Sequence, residues 1–170
     1  MKFLVQQLRK YRKEPLKINQ IIDLSNLAKQ NFSDRLLNLK PVKVKGKISY
    51  SEEKINVNFR LNGTAILPSA RSLKPVSYNF NILMDEIYVQ DEQTFSTFDE
   101  NQQVFLLKDN RLDLDSAILE NIVTNLPMSV FKDDEKENDV VSGNGWKIIQ
   151  ENDDKINRDD GSQKLGDYFN

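Results

Sequence analysis

Residues 42 to 67, "VKVKGKISYSEEKINVNFRLNGTAIL", decide the fold. In the first part, Val42, Val44, Ile48 and Tyr50 alternate with Lys43, Lys45, Lys47 and Ser49. That period of two is the pattern of a strand with one buried face. After the polar turn "SEEK" the alternation resumes, with Ile55, Val57, Phe59 and Leu61 on one side and Asn56, Asn58 and Arg60 on the other. Two such runs around a short polar turn predict a β-hairpin. The second strand runs on through "NGTAIL", where Gly63 marks either a bulge or a close backbone approach.

Working outward, "VSYNFNILM" alternates again, Val76, Tyr78, Phe80, Ile82 and Met84 against Ser77, Asn79 and Asn81. The three segments predict an antiparallel, barrel-like meander with one wet face. Pro68 and Pro75 bracket the connection "PSARSLK", fixing φ at both ends and withholding two ladder donors. Upstream, "KFLVQQLRK" and "EPLKINQII" read as two further extended segments, and "DLSNLAKQ" as a short helix capped by Asp23. Downstream, "QVFLL" reads as a strand. "LDLDSAILENIVTNLP" reads as an amphipathic helix with Leu114, Ile118, Ile122 and Leu126 on one stripe, Asp113 or Asp115 at its start and Pro127 past its end. The expected class is α+β, a mostly antiparallel sheet covered by a C-terminal helix over residues 1–130, followed by an acidic, partly disordered tail over 131–170. Within that tail, "GWKIIQ" supplies Trp146 and Ile148 as the apolar anchor expected to dock back on the body.

Composition narrows the chemistry. The chain of 170 residues contains no histidine and no cysteine. It therefore lacks the commonest general base, the thiol nucleophile and nearly every transition-metal ligand. No catalytic residue, metal or other cofactor is expected, and the paired carboxylates Asp113 with Asp115 and Asp159 with Asp160 read as a helix cap and tail solvation. No run approaches the ~20 apolar residues of a membrane span, so a soluble cytoplasmic protein with no membrane partner is expected.

Net charge is only -2, from 24 Lys and Arg against 26 Asp and Glu, but the total hides a division. Residues 1–75 hold 16 cations and 5 anions, which leaves 8 and 21 for residues 76–170, so the halves carry +11 and -13. Such asymmetry points to a nucleic-acid-facing surface with an acidic tail. Lys43, Lys45 and Lys47 are the strongest constellation. Alternate residues on one strand face lie ~6.6 Å apart, close to the phosphate spacing along a nucleic acid strand. Arg60, with Asn58, is expected on the same face of the partner strand. Arg9, Lys10, Arg12 and Lys13 in "LRKYRK", around Tyr11, and Arg71 and Lys74 in the loop complete the candidate RNA-binding set. In the motif turn from Pro68 to Pro75, Ser69 and Ser72 sit at the spacing of a C-x-x-C pair. Hydroxyls are poor ligands for soft cations, and the serines either cap the turn or offer donors to an anion.

The segments "MKFLVQQLRKY", "PVKVKGKI" and "LNGTAILPSARSLKPVSYNFNI", with Gly63, Pro68, Ser69, Arg71, Leu73 and Val76, and "LDLDSAILENIVTNLP" ahead of "GNGWKII", resemble the YceD family of large ribosomal RNA subunit accumulation proteins, in the low-GC Gram-positive form that lacks the cysteines. Many relatives carry cysteine at the position of Ser69, some also at Ser72, with a further downstream pair suited to zinc; this chain has none. The resemblance implies a non-enzymatic role in ribosome assembly, supporting accumulation of large-subunit (23S) ribosomal RNA by binding that RNA or its precursor. The alternative it leaves open is an acidic adaptor that binds a basic ribosomal protein.

Overall fold

The computed structural model describes residues 1–99 and 102–132, and the backbone of Ser142–Gly143 and Trp146–Lys147. Met1–Lys132 forms one unit and Asp133–Asn170 another. The expected hairpin is the centre of the first. β4 (Val42–Ser51) and β5 (Lys54–Pro68) pair antiparallel from Lys43↔Asn62 to Ser51↔Lys54. The two residues between them, Glu52 and Glu53, both have positive φ, 48° and 60°. A two-residue loop of that handedness matches the right-handed twist of its strands.

β6 (Pro75–Val89) then pairs with β5 along its whole length, from Lys54↔Val89 to Pro68↔Pro75. The register is unbroken at Gly63, so the glycine serves a close approach and forms no bulge. A Cβ there would lie 2.7 Å from the ring of its partner Phe80. Gly46 stands in the same relation to its partner Phe59, where a Cβ would lie 2.7 Å from the ring and 2.0 Å from the carbonyl oxygen of Asn58. Each glycine lets the phenylalanine across the ladder lie flat over bare backbone, which fills the inner face and pins the register.

β2 (Leu16–Ile22) adds to β4 antiparallel, and the two-residue β3 (Asn38–Leu39) adds to the far end of β5. β7 (Val104–Leu106) adds to β6 in parallel, after a connection that contains the short helix α3 (Glu92–Phe95). The order β2-β4-β5-β6-β7 is open, with no pairing between its two edges. The barrel-like expectation is thus corrected: β7 is too short and β2 too far across the sheet to close it.

The N-terminal segment also departs from expectation. Only β1 (Lys2–Leu4) is extended, pairing with β8 (Arg111–Asp113). Val5–Leu8 is a helical turn, α1, followed by a 3-10 turn over Arg9–Arg12. Val5 and Leu8, three apart, are both buried, a helical spacing that a strand could not place on one face. α2 (Ser25–Asn31) begins where the Asp23 carboxylate accepts the Ser25 N–H at 2.9 Å.

α4 (Leu114–Asn125) is the expected covering helix. The Asp113 carboxylate accepts the N–H groups of Asp115 and Ser116 at its start. Leu114, Ile118, Leu119, Ile122 and Val123 are buried, in one core with Val44, Ile48, Val57, Phe59 and Leu61 of the sheet's inner face. In the second unit, β9 (Ser142–Gly143) and β10 (Trp146–Lys147) pair antiparallel. Ile148 and the docking expected of it and of the Trp146 side chain lie outside the described residues, as does most of the acidic tail. Among the described residues no helix is long and apolar enough to cross a membrane.

Candidate nucleic-acid interface

The register fixes what shares the outer face of the sheet. Directly opposed residues of an antiparallel ladder project to the same side, so each cross-strand row can be read in order from β2 to β6. One row is Lys17, Lys47, Asn58, Asp85; the next is Asn19, Lys45, Arg60, Leu83; the third is Ile21, Lys43, Asn62, Asn81. Thr64 with Asn79 continues the face on β5 and β6. The apolar residues between these positions, Val42, Val44, Ile48, Val57, Phe59 and Leu61, are buried beneath.

Five cations therefore converge on one patch: Lys17, Lys43, Lys45, Lys47 and Arg60. Among the described residues none of the five is in an ion pair. The single acid on the face, Asp85, accepts the Asn58 side-chain amide at 2.5 Å. The Asn79 side-chain oxygen accepts the Thr64 hydroxyl at 2.8 Å. Asn19, Asn62 and Asn81 make no side-chain hydrogen bond among the described residues. Among the described residues, their amides and the cationic heads have no internal partner.

The dense run "LRKYRK" is placed elsewhere. Arg12 lies over the ring of Tyr50, 5.1 Å from its centroid, and reaches a Glu53 carboxylate oxygen at 2.9 Å. Arg9 approaches the other oxygen at 3.7 Å. The Tyr50 hydroxyl donates to that same oxygen at 2.6 Å. Together the Tyr50 hydrogen bond and the two guanidinium groups hold the Glu53 carboxyl below its ordinary range. Tyr50 belongs to the buried inner face, so this cluster ties down the strained hairpin tip from below and shares no row with the lysines. Lys10 lies over the Tyr11 ring at 5.1 Å, and that ring packs against the core. Lys13 follows, exposed, at the end of the 3-10 turn.

Residues 57–167 match the family described as large ribosomal RNA subunit accumulation protein YceD. The chain belongs to the YceD family. It is 28% identical over 159 residues to YlbN of Bacillus subtilis (strain 168), which covers 91% of this chain and 88% of that protein. No solved structure matches it.

In this YceD-family chain the motif turn is built on Ser69. Its hydroxyl, fully buried, accepts the backbone N–H of Arg71 at 3.2 Å and of Ser72 at 3.4 Å. The Ser72 hydroxyl accepts the Lys74 N–H at 3.4 Å, and the Ser69 N–H donates to the Lys74 carbonyl at 2.9 Å. Those bonds hold Leu73 at a positive φ of 59°. Both serine hydroxyls thus accept backbone N–H groups within the turn. Arg71 lies over the Phe131 ring, 5.4 Å from its centroid. Arg60 and Pro68 are eight residue steps apart along β5, roughly 27 Å at the rise of an extended chain, so Arg71 and Lys74 stand apart from the lysine patch.

Two features escaped sequence reading. Lys17 joins the patch although "LKINQII" was read only as extended; its alternation of Leu16 and Ile18 with Lys17 and Asn19 was the available signal. The other is Glu86, buried on the inner face of β6, whose carboxylate accepts the Tyr88 hydroxyl and the Asn121 amide, the latter at 3.1 Å. Burial pushes its carboxyl up against those two bonds. It lines a groove of about 510 Å³ between β6, β7 and α4.

Proposed function

We propose that this YceD-family protein is a non-catalytic ribosome-assembly factor that binds large-subunit ribosomal RNA, or its precursor, through the outer face of its sheet. The carrying observation is the register that sets Lys17, Lys43, Lys45, Lys47 and Arg60 side by side without a carboxylate partner among the described residues. A surface that gathers like charges and leaves them unpaired carries a self-repulsion that an anionic partner relieves, and phosphate backbones match the ~6.6 Å interval of the β4 lysines. The family description supports the choice of ribosomal RNA as that partner.

Ultraviolet crosslinking in cells, followed by mapping of the RNA-linked peptides, tests the reading directly. Adducts are expected on peptides containing residues 16–22 and 42–62, joined to large-subunit RNA. Protein crosslinks from residues 131–170 to a basic ribosomal protein, without RNA adducts on the sheet, would replace this reading with the adaptor.

A further inference from the structure

The cationic part of the outer face has a second property, its lack of rings. None of the three cationic rows, nor the Thr64–Asn79 pair, carries an aromatic side chain, and the one ring met along this face among the described residues, Phe98, lies at the hairpin end, its centroid 4.8 Å from Lys54 Nζ. Proteins that hold single-stranded RNA on a sheet stack bases on exposed aromatic rings, at ~1–3 kcal/mol per base. The rings nearest by sequence, Phe59 and Tyr50, are buried on the other side, and Tyr11 packs against the core. Unpaired bases would meet lysine stems and amides here, with no aromatic ring and only the Arg60 guanidinium plane to stack on.

The cations also form an area and not a line. Lys43 to Lys47 spans roughly 13 Å along β4, and Lys17 and Arg60 flank that column on neighbouring strands, about 10 Å apart across the sheet. A single backbone follows one column and leaves the flanking charges idle. The two backbones that border the wide, shallow groove of an A-form helix use both dimensions. That groove also displays 2′-hydroxyl groups, each a donor and an acceptor, and Asn19, Asn62 and Asn81, unpartnered among the described residues, present amides with the same dual capacity in the rows of Lys45 and Lys43. Exposed Leu83 and Ile21, at opposite ends of those two rows, suit apolar contact with ribose.

We infer that the face recognises double-helical RNA, through the phosphates and 2′-hydroxyls of its shallow groove and without reading unpaired bases. The inference rests on the RNA-binding reading above. A duplex is held as a shape: the cations set affinity, and the asparagines separate RNA from DNA.

The test compares binding of the full chain to an RNA duplex of roughly 16 base pairs, to either of its single strands, and to the DNA duplex of the same sequence. The RNA duplex is expected to bind at least about fivefold more tightly than either single strand or the DNA, with an affinity that falls steeply with salt. Asn62→Ala with Asn81→Ala is expected to erase the preference for RNA over DNA and leave the salt slope unchanged. Lys45→Ala with Arg60→Ala is expected to lower the slope by roughly two and leave the preference. Single strands binding as tightly as the duplex would overturn the duplex inference and leave RNA binding standing. An RNA-over-DNA preference that survives loss of both asparagines would overturn their assigned role. No binding to any RNA at low salt would remove the RNA-binding reading, and this inference with it.

Discussion

Two groups of cations lie within the first 60 residues, and the structure treats them oppositely. "LRKYRK" packs four positive charges into six residues, while "KVKGK" spreads three over five. Judged by density, the first is the better candidate for an anionic ligand. Yet Arg9 and Arg12 are committed to Glu53 and Tyr50, where they secure a two-residue turn whose glutamates both have positive φ. The spaced lysines, joined by Lys17 and Arg60 from the flanking strands, find no acid within the described residues. Alternation on a strand keeps like charges on one face and away from the chain's own carboxylates; a compact helical turn points its cations several ways, and some meet an internal partner.

The largest effect should come from reversing the spaced group. Lys43→Glu with Lys45→Glu is expected to weaken RNA binding by at least about a hundredfold, because two phosphate contacts become two repulsions. The thermal midpoint should stay within about 3 °C, since both side chains are exposed and unpaired among the described residues. A fluorescence-anisotropy titration beside a melting curve would show it. Binding that survives the reversal breaks the contrast at its root.

Arg9→Ala with Arg12→Ala should do the reverse. RNA affinity is expected to change less than about threefold, while the melting point falls by a few degrees as the hairpin tip loses its tether. Exposed ion pairs are weak, so most of that fall reflects the lost packing of Arg12 on Tyr50 and the strain it restrains. A large loss of RNA affinity with an unchanged melting point would return the dense run to the binding surface.

The smallest effect carries the contrast over to carboxylates. Glu53 is exposed and paired with cations, whereas Glu86 is buried and, among the described residues, bonded only to neutral donors. Burial raises the Glu86 pKa above its ordinary 4.5. The folded state therefore holds a proton that the unfolded chain has released, and stability falls as pH rises from 4.5 through the raised value. Glu86→Gln removes that loss. Chemical denaturation of both proteins across this range should show wild type losing stability against the variant with rising pH; a constant difference would mean that the carboxyl is ionised in the fold.

The alternation of "VKVKGKISY", "INVNFRL" and "VSYNFNILM" was enough by itself to fix three strands, their inward residues and the order of the meander. Each strand has one wet face and one dry face, and local chemistry states which is which. The cap of α4 at Asp113 and its buried stripe were readable for the same reason. Other features depended on partners distant in the chain. Val5 and Leu8 turn helical because both must reach the core, β7 runs parallel because the chain crosses over before rejoining the sheet, and the sheet stays open because its edges never meet. The site divides in the same way. That Lys43, Lys45 and Lys47 share a face follows from the period of two. That Lys17 joins them while Arg9 and Arg12 do not is decided by register and by where one glutamate sits: local alternation turns Lys17 outward, but only pairing across dozens of residues sets it beside the β4 lysines.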